Sequence, residues 1–194
     1  TMTNTDTGDD PIVSIEIEPL DAIVTVVDGQ IPAPLQYMAF GVTQMGDKVP
    51  INGKWTYDKI DLANFGGVGE FTATGFAGGV GTVNFEAQLG MQASTSATVK
   101  LQYTSEPMPV DPMVKDGFGN AIDPDPTLTL LYTYDNTVFP RGLTTPTIQW
   151  DGGGPNDLYY IHAHSDTFDF KAYTKVPPPS RYAFPLMPTD IWLK

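Results

Sequence analysis

Residues 69–103 read GEFTATGFAGGVGTVNFEAQLGMQASTSATVKLQY, and this stretch decides the fold class. Apolar side chains occupy every second position in two runs within it: Val83, Phe85, Ala87 and Leu89, then Ala97, Val99, Leu101 and Tyr103. A period of two is that of a β-strand with one buried face, and turn-forming residues flank both runs. The stretch therefore predicts two or three antiparallel strands.

The same alternation continues on both sides of this stretch. Further strands are predicted over 12–18, 21–27, 35–42 and 54–57 before it, and over 128–134, 145–150, 157–164 and 167–173 after it. In the first of these strands, Val13, Ile15 and Ile17 are expected to face the core. Trp55 is expected to anchor the core, because an aromatic side chain buries roughly 150–250 Å², and the alternative is a ring that serves as a ligand platform.

Composition agrees with an all-β protein. The 194 residues include 19 Gly and 18 Pro, which suits many turns and strand ends, and Gly, Pro or strand alternation interrupts every apolar stripe of helical period. Cysteine is absent, so disulfides and thiolate metal sites are excluded. No apolar run approaches the roughly 20 residues that span a bilayer, so membrane insertion is not expected.

The net charge of −13 narrows the classes of partner. Nucleic-acid binding depends on Lys and Arg neutralising phosphates, and docking on anionic lipid needs basic residues too. The excess of carboxylates argues against both. An excess of carboxylates is typical of a highly soluble protein. The more specific alternative is that some of these carboxylates bind divalent cations.

Composition also divides the chain. Residues 1–11 are a polar, Thr- and Asp-rich tract that is expected to be a flexible leader. Residues 12–104 hold the first set of strands, and 128–194 hold the second. Between them, 105–127 is rich in Pro and acidic residues and is interpreted as a linker or long loop.

A family resemblance rests on the order of short motifs in the first half of the chain. These are IEIEP at 15–19, IVTVVDG at 23–29, LQYMAFG at 35–41, GKWTYD at 53–58, the glycine-rich run at 69–90 and ATVKLQY at 97–103. The order resembles a bacterial immunoglobulin-like (Big-type) domain. Residues 131–164 resemble a fibronectin-like opening, similar to segments that follow Ig-like modules in myxobacterial-type surface proteins.

The resemblance implies an Ig-like β-sandwich of about seven strands, followed by a second β-sandwich domain that is complete or partial. It also implies an exported bacterial protein at the cell surface, and the family has no shared catalytic residues. The expected function is a non-catalytic extracellular structural or adhesive module. Its expected partners are other surface proteins or copies of itself.

Aromatic residues in the second half suggest an alternative function. Trp150, Tyr159 and Tyr160 lie in two of the predicted strands, and adjacent strand residues point to opposite faces. One of the two tyrosines is then exposed unless both faces are covered. Exposed aromatic rings can stack on sugars, so the alternative is a carbohydrate-binding module with a polysaccharide partner.

Metal binding has one main candidate site. Asp111, Asp116, Asn120, Asp123 and Asp125 bring several oxygen ligands together in the acidic segment. Calcium prefers about six to eight such oxygens. The spacing is not that of an EF-hand, so the segment predicts either a calcium site or a solvated loop with no cofactor.

Catalysis has little support in the sequence. His162 and His164 share one face of a predicted strand and, with Asp166 or Asp169, form a weaker zinc candidate beside the alternative of ordinary strand histidines. There is no Cys nucleophile and no G-x-S-x-G elbow. The protein is therefore not expected to be an enzyme.

Overall fold

The structure is a computed structural model that describes residues 10–88, 90–121, 125–134, 136–139, 145–176 and 180–183. The expected all-β fold class of sandwich type is confirmed. Most of the predicted leader (1–9), as well as Leu89 and Asp123, lie outside the described residues. The chain divides into two compact units: Thr1–Val26 with Gln30–Lys100, and Val27–Gly29 with Leu101–Lys194.

The strands of the first half are β1 (Ile12–Glu18), β2 (Ala22–Val27), β3 (Leu35–Gln36), β4 (Met38–Thr43), β5 (Lys48–Ile51), β6 (Gly53–Tyr57), β7 (Ala63–Phe65), β8 (Glu70–Ala73), β9 (Gly79–Ala87) and β10 (Gln92–Ser105). They form antiparallel sheets in the orders β1–β4–β5, β3–β8–β7 and β6–β9–β10, and β2 also pairs with β10. The predicted alternation is confirmed in β9 and β10, where Val83, Ala97 and Val99 are fully buried.

Aromatic side chains fill the core of the first unit. Tyr37 and Phe71 are almost fully buried, with ring centroids 5.7 Å apart. Trp55 is half-buried, and its ring centroid lies 4.7 Å from that of Phe85 and 5.6 Å from that of Phe65. Edge-to-face and offset ring pairs at such distances contribute about 0.5–1.5 kcal/mol each beyond the area they bury.

The predicted inner face of β1 is wrong at one position. Ile17 is buried, as expected, but Val13 is 59% exposed. The cause is a register shift in the pairing with β4, where Ile12 lies opposite Thr43 and Ser14 lies opposite Val42. Val13 is the extra residue of a β-bulge, and such a residue leaves the strict alternation of the strand.

The second unit contains a hairpin, a three-stranded sheet and a helix. Its elements are α1 (Pro112–Gly119), β11 (Thr129–Tyr132), β12 (Thr147–Asp151), β13 (Tyr159–Ser165), β14 (Phe168–Thr174) and β15 (Ser180–Ala183). The predicted hairpin of β13 and β14 is confirmed, and β14 also pairs in parallel with Leu101–Ser105 of β10. The other sheet has the order β11–β12–β15. Phe170 and Ala172 of β14 are fully buried.

Helix α1 lies inside 105–127, the segment whose composition predicts a linker or long loop. Asp111 is its N-cap, and Pro112 occupies the first turn. An acidic cap accepts a hydrogen bond from a free amide of the first turn, and Pro fits there because it has no amide hydrogen to leave unpaired. The Gly and Pro content of the segment favoured a loop, so the Asp111–Pro112 pair was not interpreted as the start of a helix.

Candidate functional site

The predicted calcium ligands lie along α1 and the residues after it. The Asp111 carboxylate accepts a hydrogen bond from the Met113 amide at 2.8 Å. Asn120 follows the helix, and its Nδ2 donates to the main-chain carbonyl of Asp116 at 2.8 Å. Asp123 lies outside the described residues. Two of these polar side chains therefore satisfy the ends of the helix.

Asp125 is also engaged locally. Its Oδ1 accepts hydrogen bonds from the hydroxyl of Thr127 at 2.7 Å and from the amide of the same residue at 2.8 Å. These bonds hold the pKa of the Asp125 carboxyl below its ordinary value, because they favour the charged form. Across the described ranges, no three His, Asp or Glu side chains converge as metal ligands would. Calcium binding by this segment stays a prediction.

Helix α1 is fastened by an ion pair between Lys115 and Glu106. The same carboxylate accepts a hydrogen bond from the Val110 amide at 2.7 Å. Both contacts, the Lys115 bond foremost, hold the pKa of Glu106 below its ordinary value. Lys115 Nζ also lies 5.4 Å from the centroid of the Tyr173 ring, within cation–π range. The helix is thus tied to β14.

Two of the three predicted sugar-binding aromatics are buried. Trp150 is 5% exposed and Tyr159 is 8% exposed, and their ring centroids are 5.0 Å apart. The Tyr159 hydroxyl donates to the carbonyls of Gly154 at 3.3 Å and Gly152 at 3.5 Å. These rings pack in the interior of their unit, so a sugar platform in this region rests on Tyr160, which is half-buried.

Tyr160 belongs to a row of stacked rings that we call the ring ladder: Phe118, Tyr160, His162 and His164. Successive ring centroids are 5.6, 5.8 and 4.7 Å apart, with interplanar angles of 28–29°. The three β13 members are two residues apart, so they share one face of the strand. Phe118 reaches the row from α1.

Charged and polar groups of β14 flank the ring ladder. Asp169 Oδ1 lies 2.9 Å from His162 Nε2, and the same Asp169 is paired in register with His164. Lys171 is paired in register with His162. Burial raises the pKa of the Tyr160 hydroxyl, with smaller effects from Tyr173 and Asp169, so this phenol stays neutral. The ring ladder and its neighbours on β14 thus place aromatic rings beside hydrogen-bonding groups, a combination that can bind a ligand.

Phe118 is the member of the ring ladder that sequence reasoning missed. It lies in a segment interpreted as a linker, where single apolar residues carry no periodic signal. The Asp111–Pro112 pair was the available clue, because it marks a helix start. In the resulting helix Lys115 and Phe118 are three residues apart, so both lie on the side that contacts Tyr173.

No family model and no curated protein sequence matches this chain. Among the described residues, none of the helical segments has the length and apolar character that a membrane span requires.

Proposed function

We propose that this protein is a non-catalytic structural or adhesive module of an extracellular bacterial surface protein, and that it works by protein–protein assembly. The resemblance to Big-type domains supports the class of protein. One observation supports the mode of action: strand β11 presents apolar side chains at the edge of a sheet.

All four residues of β11 are exposed. Leu130 and Leu131 are 48% and 49% exposed. The pairing with β12 shifts register between Leu130 and Tyr132, so Leu131 is the extra residue of a β-bulge and its exposure does not follow from strand alternation. Strand β12 is the one partner of β11 among the described residues, and no other described backbone pairs with the second edge of β11. An open apolar edge is a template for pairing with another chain.

The occupant that fits this edge best is a second copy of the same chain. Residues 128–134, LTLLYTY, contain no charged side chain, although the chain as a whole has a net charge of −13. Two equally charged copies can therefore pair antiparallel along β11 without placing like charges opposite each other. A contact between two four-residue strands buries less surface area than a stable protein–protein interface does. We therefore expect a dissociation constant of about 100 µM.

Sedimentation equilibrium tests this proposal. The wild-type protein should self-associate, and Leu130→Lys should weaken the association at least about tenfold, because a strand edge resists pairing when it must bury an ammonium group. Ile60→Lys is the matched control, since Ile60 is an 80% exposed apolar residue outside β11. Both variants reduce the net negative charge equally. A monomeric wild type up to about 1 mM, or equal effects of both variants, would contradict the proposal.

A carbohydrate-binding module is the second candidate, and the half-buried Tyr160 in the ring ladder favours it. If the ladder stacks on sugars, Tyr160→Ala should abolish retention on insoluble polysaccharides, because stacking needs the ring. Tyr134→Ala is the control, since Tyr134 is 69% exposed and lies outside the ladder. Unchanged retention in Tyr160→Ala would remove this candidate.

A further inference from the structure

The sheet β6–β9–β10 of the first unit has a groove on its open face. Its volume is about 360 Å³, within the range of roughly 300–1,000 Å³ that small-molecule sites occupy. Six polar side chains, which we call the polar grid, line it: Lys54, Thr56, Asn84, Glu86, Gln92 and Ser94. All six residues are exposed, and Phe85 and Ala93 complete the lining of the groove.

Strand register arranges the polar grid in two rows. Lys54 lies opposite Glu86, which lies opposite Gln92. The other row runs across the same three strands, as Thr56, Asn84 and Ser94. Neighbouring strands are about 4.8 Å apart, and side chains two residues apart on one strand are about 6.7 Å apart. Hydrogen-bonding groups therefore cover the groove at a close, regular spacing.

The polar grid is almost unused within the protein. Asn84 Nδ2 donates to the Thr82 carbonyl at 3.4 Å, a long bond. In the part of the chain that the structure describes, the ion pairs include neither Lys54 nor Glu86, although register places these two residues opposite each other. Here donors and acceptors remain available to a ligand.

The geometry points to a binding site for a neutral, polyhydroxylated ligand, a saccharide, in this groove. Hydroxyl and amide side chains both donate and accept hydrogen bonds, as sugar hydroxyls do. The single ammonium and the single carboxylate of the grid cancel, so the site favours neither an anion nor a cation. Both charged groups form strong hydrogen bonds to neutral hydroxyls.

An extended peptide fits this groove less well. Peptides that bind to sheets pair with a free strand edge and place side chains in apolar pockets. The centre of the groove is β9, whose backbone is paired on both sides with β6 and β10. Recognition must therefore come from the side chains, and these are polar.

Affinity electrophoresis tests the site with the full chain. The probes are gels that contain soluble neutral polysaccharides, namely hydroxyethylcellulose, arabinoxylan, galactomannan and β-glucan. The wild type should be retarded by at least one of them. The double variant Asn84→Ala/Gln92→Ala should bind that polymer at least about tenfold more weakly, because two hydrogen-bonding side chains are lost. Adding the matching free oligosaccharide shows whether the site binds short sugars. If the oligosaccharide does not compete, the site binds only long chains.

The matched control is Asn64→Ala/Gln44→Ala, which removes the same two residue types from exposed positions outside the groove. This control should be retarded like the wild type, and so should Tyr160→Ala, because Tyr160 does not line the groove. Loss of retardation in Tyr160→Ala with unchanged retardation in Asn84→Ala/Gln92→Ala would assign the sugar binding to the ring ladder and overturn the inference. Unretarded wild type in every neutral gel would overturn the inference. An equal loss of retardation in the two double variants would overturn it as well. Binding confined to charged polymers would have the same consequence. Self-association through β11 is measured separately and does not affect these outcomes.

Discussion

Two buried tyrosines in the first unit provide a sharp test of its core. The Tyr57 hydroxyl donates to the Ala97 carbonyl at 3.0 Å. The Tyr37 hydroxyl is buried and has no hydrogen-bond partner among the described residues. Tyr37→Phe and Tyr57→Phe remove the same atom from the same core, so we expect their effects on stability to have opposite signs.

The magnitudes follow from the state of each hydroxyl. A buried polar group without a partner costs about 1–3 kcal/mol, so removing the Tyr37 hydroxyl should stabilise the protein by about 1 kcal/mol. Tyr57→Phe loses a buried hydrogen bond and should destabilise it by about 1–2 kcal/mol. For a chain of this length, 1 kcal/mol corresponds to roughly 2–4 °C in melting temperature.

Urea unfolding and calorimetry measure both variants against the wild type. Circular dichroism and tryptophan fluorescence should be recorded together, because two compact units need not unfold in one step. Unchanged m-values would show that the native state has the same compactness in each protein. If Tyr37→Phe destabilises the protein as much as Tyr57→Phe, the Tyr37 hydroxyl has a partner and the reasoning is refuted.

Burial raises the pKa of Tyr37 and Tyr57 to about 12. Ionisation of these two groups should therefore leave the free energy of unfolding unchanged below pH 10, their ordinary pKa, and should lower it as the pH rises toward about 12. Urea midpoints measure this fall, which should be smaller in Tyr37→Phe. Gly69→Ala should cost about 2–4 kcal/mol, because Gly69 has a φ of 75° and a Cβ there would lie 2.2 Å from the Tyr37 carbonyl oxygen; an unchanged melting temperature would contradict this. The calcium hypothesis predicts that calcium raises the melting temperature of EDTA-treated protein and that Asp123→Asn removes the rise, and an equal melting temperature with and without calcium would exclude it.

Sequence periodicity predicted the strands well because alternation is a local property of the chain. In β9 and β10, every second side chain lies in the core, and Val83 and Val99 could be placed there from the sequence alone. Val13 could not, because a bulge depends on the pairing with β4 and leaves no mark on the residues of β1. The sequence predicts the period of a strand more reliably than its register.

Non-local contacts were the part that the sequence did not reveal. The parallel pairing of Leu101–Ser105 with Phe168–Ala172 joins segments that are far apart in the chain. The ring ladder also depends on a contact between distant segments, Phe118 of α1 and Tyr160 of β13. Likewise, the polar grid arises only when β6, β9 and β10 lie side by side in register. No local pattern in the sequence shows that these residues line one groove.

Strand β10 has a consequence for how this protein can be divided or exchanged during evolution. The boundary between the two compact units falls within this strand, at Lys100 and Leu101, and not in a flexible segment. A fragment that begins at residue 105 would lack Leu101–Thr104, which pair with β14, and would expose that strand's edge to aggregation. Gene fusions that cut the chain after β10 should therefore yield an insoluble second half. A fragment that begins at Leu101, where the second unit begins its long segment, would keep the pairs with β14.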